Sequence, residues 1–298
     1  MRITNNFLCL GFSAAALCAA ALPAAGASWT QAGATTGSPA GFLPPPGLYF
    51  VGAVNYGVGK QDARDLPDGS GLADASGIAS QGFLWVPGWS FLGAKYAMSV
   101  TAIEIESGFH NSFYKRGFYN PVVSPINLSW DLGHGFGFSV GEGIYLPLTG
   151  TDEHNPGAGF EQHFNLSYVA NDWVASINGW YTLSVADAGG FSEPDTLNID
   201  YTLAHNFGKW QLGIVGYTSW DTTLTSANRA LGKGEDIGIG GLVGYDFGPV
   251  NLQLKATHEL VSHGDSQYEA EDTRVWVTLV IPVWTPTPAP TKALVAKY

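Results

Sequence analysis

Five consecutive residues, Gly137-Phe138-Ser139-Val140-Gly141, spell Gly-x-Ser-x-Gly, a pattern that presents a nucleophilic serine in many esterases. That chemistry needs a sharp strand-to-helix turn to lift the hydroxyl out of the fold. Here the five residues sit inside an alternating segment with no helical period after it, so they read as strand. Gly238-Ile239-Gly240-Gly241 is glycine-rich, but no helix N-terminus follows to complete a phosphate cradle. The histidines at 110, 134, 154, 163, 205, 258 and 263 show no metal-ligand spacing. Two acidic groups, Asp62, Asp65, Asp68 and Asp74, then Asp265, Glu269, Glu271 and Asp272, lack the spacing of a calcium loop and read as solvated loops. The sequence therefore predicts no catalytic, cofactor-binding or metal site, and no cofactor.

What remains is a set of charged residues within alternating segments. Lys95, Asp131, Glu161, His163, Asp200, Lys255 and Glu259 fall on the polar faces of such segments and are expected to line a lumen. Glu161 and His163 are two apart and so face the same side. Charges confined in a pore act as a filter for solutes.

The elements that must position them follow from the pattern. The chain of 298 residues is 45% apolar and only 13% charged, with 39 glycines. Its apolar content excludes disorder, and its net charge of −12 argues against nucleic-acid binding. After the N-terminus no apolar run is long enough to span a bilayer as a helix. Instead the apolar residues alternate. Trp173, Ala175, Ile177, Gly179, Tyr181 and Leu183 form one face, and Ser176, Asn178, Thr182 and Ser184 the other. Period two means strand. Twelve strands are expected, near 47–58, 80–87, 91–106, 124–132, 136–147, 158–170, 172–185, 195–207, 209–220, 235–247, 249–261 and 273–284. Short and long connections alternate between them, as in an up-and-down transmembrane β-barrel with short periplasmic turns and long extracellular loops. Trp173, Trp210, Phe136, Phe207, Phe247 and Trp130 are expected to girdle the short-turn end, and Tyr145, Trp220, Trp180 and Tyr181 the other. Ile177→Arg, on the lipid face, should then harm folding far more than Asn178→Arg. Glu142 falls on the apolar face of its strand, which suggests a bulge or register change there.

The flanks complete the organisation. Arg2, an apolar stretch from Phe7 to Leu22 and Ala25-Gly26-Ala27 read as a signal peptide over 1–27, which also contains both cysteines, Cys9 and Cys18. Residues 28–46 are expected to be a Pro-rich periplasmic tether, 47–284 the barrel and 285–298 a Pro-rich C-terminal tail.

Several motifs give this order a family likeness: Pro44-Pro45-Pro46-Gly47-Leu48-Tyr49-Phe50, Tyr145-Leu146-Pro147-Leu148-Thr149-Gly150, Asn155-Pro156-Gly157-Ala158-Gly159, and the region of Asp200-Tyr201. Over roughly 42–284 the chain resembles the outer-membrane transporter family named for the meta-pathway of phenol degradation. The resemblance implies an outer-membrane channel for passive uptake of small hydrophobic or aromatic compounds, linked to aromatic catabolism. The expected partners are those solutes, outer-membrane lipids and lipopolysaccharide, and the barrel-assembly machinery. A structural or adhesive barrel and a lipid-hydrolysing one are the alternatives.

Overall fold

The computed structural model describes residues 29–62, 72–109, 113–147, 157–187, 190, 192–226, 232–263 and 269–286. The signal peptide at 1–27, most of the C-terminal tail, Asn155, Pro156, Asp65, Asp68 and Asp265 lie outside them.

Among the described residues thirteen strands run in chain order: β1 Gly47–Asp62, β2 Leu72–Val86, β3 Ser90–Phe91, β4 Ala94–Phe109, β5 Phe113–Gly133, β6 Phe136–Tyr145, β7 Ala158–Ala170, β8 Trp173–Val185, β9 Thr196–Phe207, β10 Trp210–Asp221, β11 Glu235–Asp246, β12 Asn251–His263 and β13 Glu269–Trp284. β3 is a two-residue piece within the β2–β4 connection, so twelve strands build the wall. Each pairs antiparallel with its chain neighbour, β1 pairs with β13, and β2 pairs with β4, so the sheet closes on itself. Closure is required in hydrocarbon, where an unpaired sheet edge would leave backbone groups without partners. Among the described residues no helix is long and apolar enough to cross a membrane; the crossing is made by strands.

Tight turns join the strands at one end. At Asn171-Asp172 both residues have positive φ, +52° and +65°, which matches the twist of the flanking strands. His134, between Gly133 and Gly135, also has positive φ. This is the periplasmic end by the usual arrangement of short turns. At the opposite end the strands reach further than their apolar alternation. β5 starts at Phe113, so the long loop expected over 107–123 is mostly paired strand, and strict alternation of short and long connections fails between β4 and β5. β1, β2 and β13 likewise extend into the loops expected at 59–79 and 262–272. Lys115 and Arg116 interrupt the apolar alternation of the sequence there, which hides the strand from a reading by period.

The outer face carries the apolar alternation. Val54, Ile177, Leu203, Leu212, Ile214, Leu254 and Val277 are exposed on it. Near the periplasmic end its aromatics touch in series: Trp173 with His205 at 4.8 Å, His205 with Phe207 at 4.6 Å, Trp210 with Tyr245 at 4.7 Å and Tyr245 with Phe247 at 4.6 Å. Such a belt sits where bilayer meets water. At the other end Trp220 and Tyr181 keep the outward parity, but Tyr145 and Trp180 are 1% and 2% exposed and point inward. Trp180 lies one position out of step with Tyr181, and a one-residue offset changes the face.

Glu142 does face outward. The irregularity lies in the neighbouring strand, where β5 shifts register between Val123 and Ile126, around Pro125. β6 itself pairs regularly with β7. The Glu142 carboxylate accepts hydrogen bonds from Gln162 Nε2 at 3.0 and 3.1 Å, a polar pair on the outer wall.

Candidate functional site

The lumen is occupied by the chain's own N-terminal segment. Residues 33–41 are all buried, although the sequence suggested a tether outside the barrel. The segment contains Gly33, Thr35, Thr36, Gly37 and Ser38, a short run of glycines and hydroxyl residues with no apolar stripe. It folds instead as successive turns, with Ala34 N bonded to Gln31 O, Thr36 N to Gly33 O, Ser38 N to Thr35 O and Phe42 N to Pro39 O. Gly37 has φ +85°, and a Cβ there would lie 2.5 Å from Leu242 Cδ1, so only glycine fits the turn and the gap.

A chain buried without a sheet of its own must find partners for its backbone groups. The inner wall supplies them. Asp200, on β9, accepts from Gly33 N at 2.8 Å, Thr35 N at 2.8 Å and Thr35 Oγ1 at 2.7 Å. Asn178 Nδ2 donates to the carbonyls of Thr35 and Ser38 at 3.2 and 2.9 Å. Ser176 Oγ donates to Ser38 O at 2.8 Å. Lys255 Nζ donates to Thr36 O at 2.7 Å and lies 5.2 Å from the centre of the Trp276 ring. Gln253 Nε2 donates to Gly37 O at 2.9 Å. Lower down, Ser139 Oγ donates to Ala40 O at 2.7 Å and Ser129 Oγ to Gly41 O at 2.8 Å. These partners come from six wall strands, β5, β6, β8, β9 and β12 among them, with β7 adding Ser167 Oγ as acceptor for Gly41 N.

The direction of the segment follows from its contacts. Phe42 lies against Gly137, near the periplasmic start of β6. Thr30 Oγ1 bonds Tyr145 OH at 2.7 Å, at the opposite end of the same strand, and also contacts Glu161. The segment therefore runs along the barrel axis, from the extracellular end down to the proline turn at 44–46. At the bottom Leu43 packs with Tyr49, Val51, Leu84, Val86 and Val280. At the top Trp29 packs with Ile78, Ile103, Ile105, Tyr119, Val122 and Tyr145.

Five of the seven expected lumen residues are inside. Glu161 and His163 are buried and bonded to each other at 2.9 Å through His163 Nε2. Thr182 Oγ1 donates to Glu161 at 3.2 Å. Asp200 and Lys255 hold the segment directly. Glu259 accepts from Tyr217 OH at 3.1 Å and from Asp272 N at 3.0 Å. Lys95 and Asp131 are exposed at the periplasmic rim. Both share the parity of inward neighbours, Ala97 and Ser129, but they lie too close to the turns to be enclosed; Asp131 Oδ1 caps its own turn by accepting from Gly133 N at 2.9 Å. Arg274 was not among the expected residues. It is buried on β13, bonded to Asn55, Ser76 and Asp272, with its guanidinium 5.9 Å from the Trp276 ring.

Three consequences follow for the chemistry. Ser139 lies mid-strand, with its hydroxyl bonded to the segment and accepting from Asn165 Nδ2 at 2.9 Å, so it is no nucleophile elbow. Among the described residues no group of three His, Cys, Asp or Glu could hold a metal ion. Of the inner charges, Asp200 and Lys255 hold a peptide directly. Asn178 is fully buried against Ser38 and Thr35, so Asn178→Arg would evict the segment.

A family profile described as the MetA-pathway of phenol degradation matches residues 52–277, most of the chain. The chain belongs to this family. An outer-membrane channel from Pseudomonas putida F1 superposes with a TM-score of 0.62 at 13% identity, over 80% of this chain and 96% of that one. A monoaromatic hydrocarbon channel, CymD, gives a TM-score of 0.45 at 7% identity over 80% of this chain and 89% of that one. The translocator domain of the autotransporter NalP from Neisseria meningitidis gives 0.42 at 13% identity over 79% and 88%. No curated protein sequence matches. Family and fold together make this an outer-membrane β-barrel.

Proposed function

We propose that the chain is a passive outer-membrane channel for small hydrophobic or aromatic compounds, and that it works without catalysis. The observation that carries this reading is the lumen. A general water-filled pore needs an open polar path, whereas here a peptide runs along the axis and the upper chamber is walled by Ile78, Ile103, Ile105, Val122, Tyr119 and Tyr145. Small apolar solutes suit such walls, because burial of apolar area is favourable and few polar groups need new partners. The family's phenol-degradation description and the monoaromatic channel among the similar folds agree with that solute class. Passage through the lumen requires the N-terminal segment to shift. Membrane lipids, lipopolysaccharide and the assembly machinery are the partners this location implies.

The test is uptake of labelled phenol or toluene by intact Gram-negative cells, whose lipopolysaccharide slows apolar solutes. Cells producing the chain should take up both faster than cells without it, while glucose uptake stays equal. Equal rates for the aromatic compounds would remove the reading. Release of fatty acid from outer-membrane phospholipid would instead support a lipid hydrolase.

A further inference from the structure

Trp29 stands two residues after the expected cleavage site, where chain termini are usually loose and solvated. Its indole is instead 1% exposed. Two tyrosines flank it, Tyr145 with ring centres 5.2 Å apart at 53° and Tyr119 at 6.1 Å and 62°. These are the tilted and edge-on geometries that aromatic pairs favour. Gly159 lies under the ring: a Cβ there would stand 2.9 Å from indole Cδ2, so the strand is cut back to fit a flat group. One polar fixture completes the chamber. The indole N–H donates to Ser184 Oγ at 2.6 Å, and that hydroxyl donates onward to Pro194 O at 3.1 Å. Ser184 thus has an acceptor lone pair held in place for a single ring donor.

The chamber is also placed to meet arriving solutes. Gly159 is the second residue of β7, Ser184 the second to last of β8 and Tyr145 the last of β6, all at the extracellular end.

We propose that this chamber is the outermost binding site for an aromatic solute of one or two rings carrying one N–H or O–H donor, and that Trp29 is its tethered occupant, displaced when solute enters. The assignment deepens the channel reading and rests on it for the solute class. A phenol ring fits the tyrosine flanks, and its hydroxyl takes over the bond to Ser184. The tether sets the balance. A group tethered beside its site competes at a high effective concentration, so the resident indole keeps the site filled until solute accumulates. A hydrocarbon without a donor forgoes the bond to Ser184 Oγ and binds less well than phenol.

The experiment is titration calorimetry of the purified, folded barrel with indole and phenol. Trp29→Ala should bind both at least tenfold more tightly than the wild-type chain. Adding Ser184→Ala to that variant should weaken phenol about tenfold and leave toluene unchanged. Equal affinity in wild type and Trp29→Ala overturns the proposal. If Trp29→Ala does not fold, wild-type chain carrying 5-fluorotryptophan answers the same question. Its Trp29 fluorine resonance, assigned by its loss in Trp29→Phe, should shift on saturation with phenol, and an unmoved resonance overturns the proposal. Cell uptake separates the two readings. Uptake without displacement of Trp29 sinks this site alone, whereas displacement without uptake sinks the channel and leaves the site standing.

Discussion

Ile177 and Asn178 are neighbours on β8, yet one is half exposed to the bilayer at 49% and the other is fully buried against Thr35 and Ser38. The same contrast repeats on β9, where Asp200 grips the segment and Tyr201 and Leu203 face lipid. The outer face is held by solvent alone: any apolar side chain of suitable size serves, because its surroundings are fluid. The inner face is held by particular partners, since each carbonyl of the segment needs a donor in a fixed place and each N–H an acceptor. Substitutions on the outer face should therefore change whether the barrel inserts, and those on the inner face whether the segment stays.

The largest break in that comparison is Ile177→Arg. An arginine facing mid-bilayer costs about 2–4 kcal/mol, so refolding into lipid vesicles should lose most of its yield, while the unfolded chain is unaffected. Retained yield would mean that this part of β8 is shielded from lipid.

Next comes Asp200→Asn. It removes the charge from three hydrogen bonds, each charge-assisted bond contributing about 1.5–3 kcal/mol. Barrel stability in urea should hardly move, but the segment should leave about 30-fold more often, seen as shorter closed dwell times in planar bilayers. Unchanged dwell times would show that the segment does not control conduction. Glu161 and Asp200, expected among the charges that filter solutes, are both engaged with the segment or its supports.

Gly37→Ala should act in the same direction and less strongly. A non-glycine residue at left-handed φ costs about 1–2 kcal/mol, and the added methyl meets Leu242 and Gln253. Closed dwell times should shorten up to roughly tenfold by the same energy scale. Glu142→Gln is the smallest. It removes an outward carboxylate but keeps an amide for Gln162, so stability in lipid should change by less than about 1 kcal/mol and conduction not at all.

The wall was legible in the sequence because period two survives wherever one face meets lipid. At the periplasmic side the strand starts at Trp173, Trp210 and Phe136 follow from an aromatic that adjoins a turn. Parity gives the face but not the height, which is why Lys95 and Asp131 belong to the rim. Tyr145 and Trp180 were placed in the outer girdle because aromatics suit both a membrane interface and a chamber wall, and only the register separates these. The segment at 29–43 was illegible for another reason. Its sequence has no period, and its partners lie far away in the chain: Thr35 meets Asp200 across 165 residues and Thr36 meets Lys255 across 219. Asp200 and Lys255 fall on polar strand faces in the sequence and so read as lining a lumen, but nothing in their pattern names what fills it.

The central claim is that aromatic solutes pass through the lumen when the N-terminal segment shifts. The chain's own cysteines, Cys9 and Cys18, both lie in the expected signal peptide, so a designed pair reports cleanly. Ser38→Cys with Ser176→Cys puts one thiol on the segment and one on β8, where Ser176 Oγ reaches the Ser38 carbonyl at 2.8 Å, and loss of free thiol confirms that the disulfide has formed. Phenol uptake by cells carrying the pair is measured before and after a reductant. The account predicts uptake at the background rate while the disulfide is intact and recovery to the wild-type rate once it is reduced. Full uptake through the locked barrel would contradict it and place the path outside the lumen.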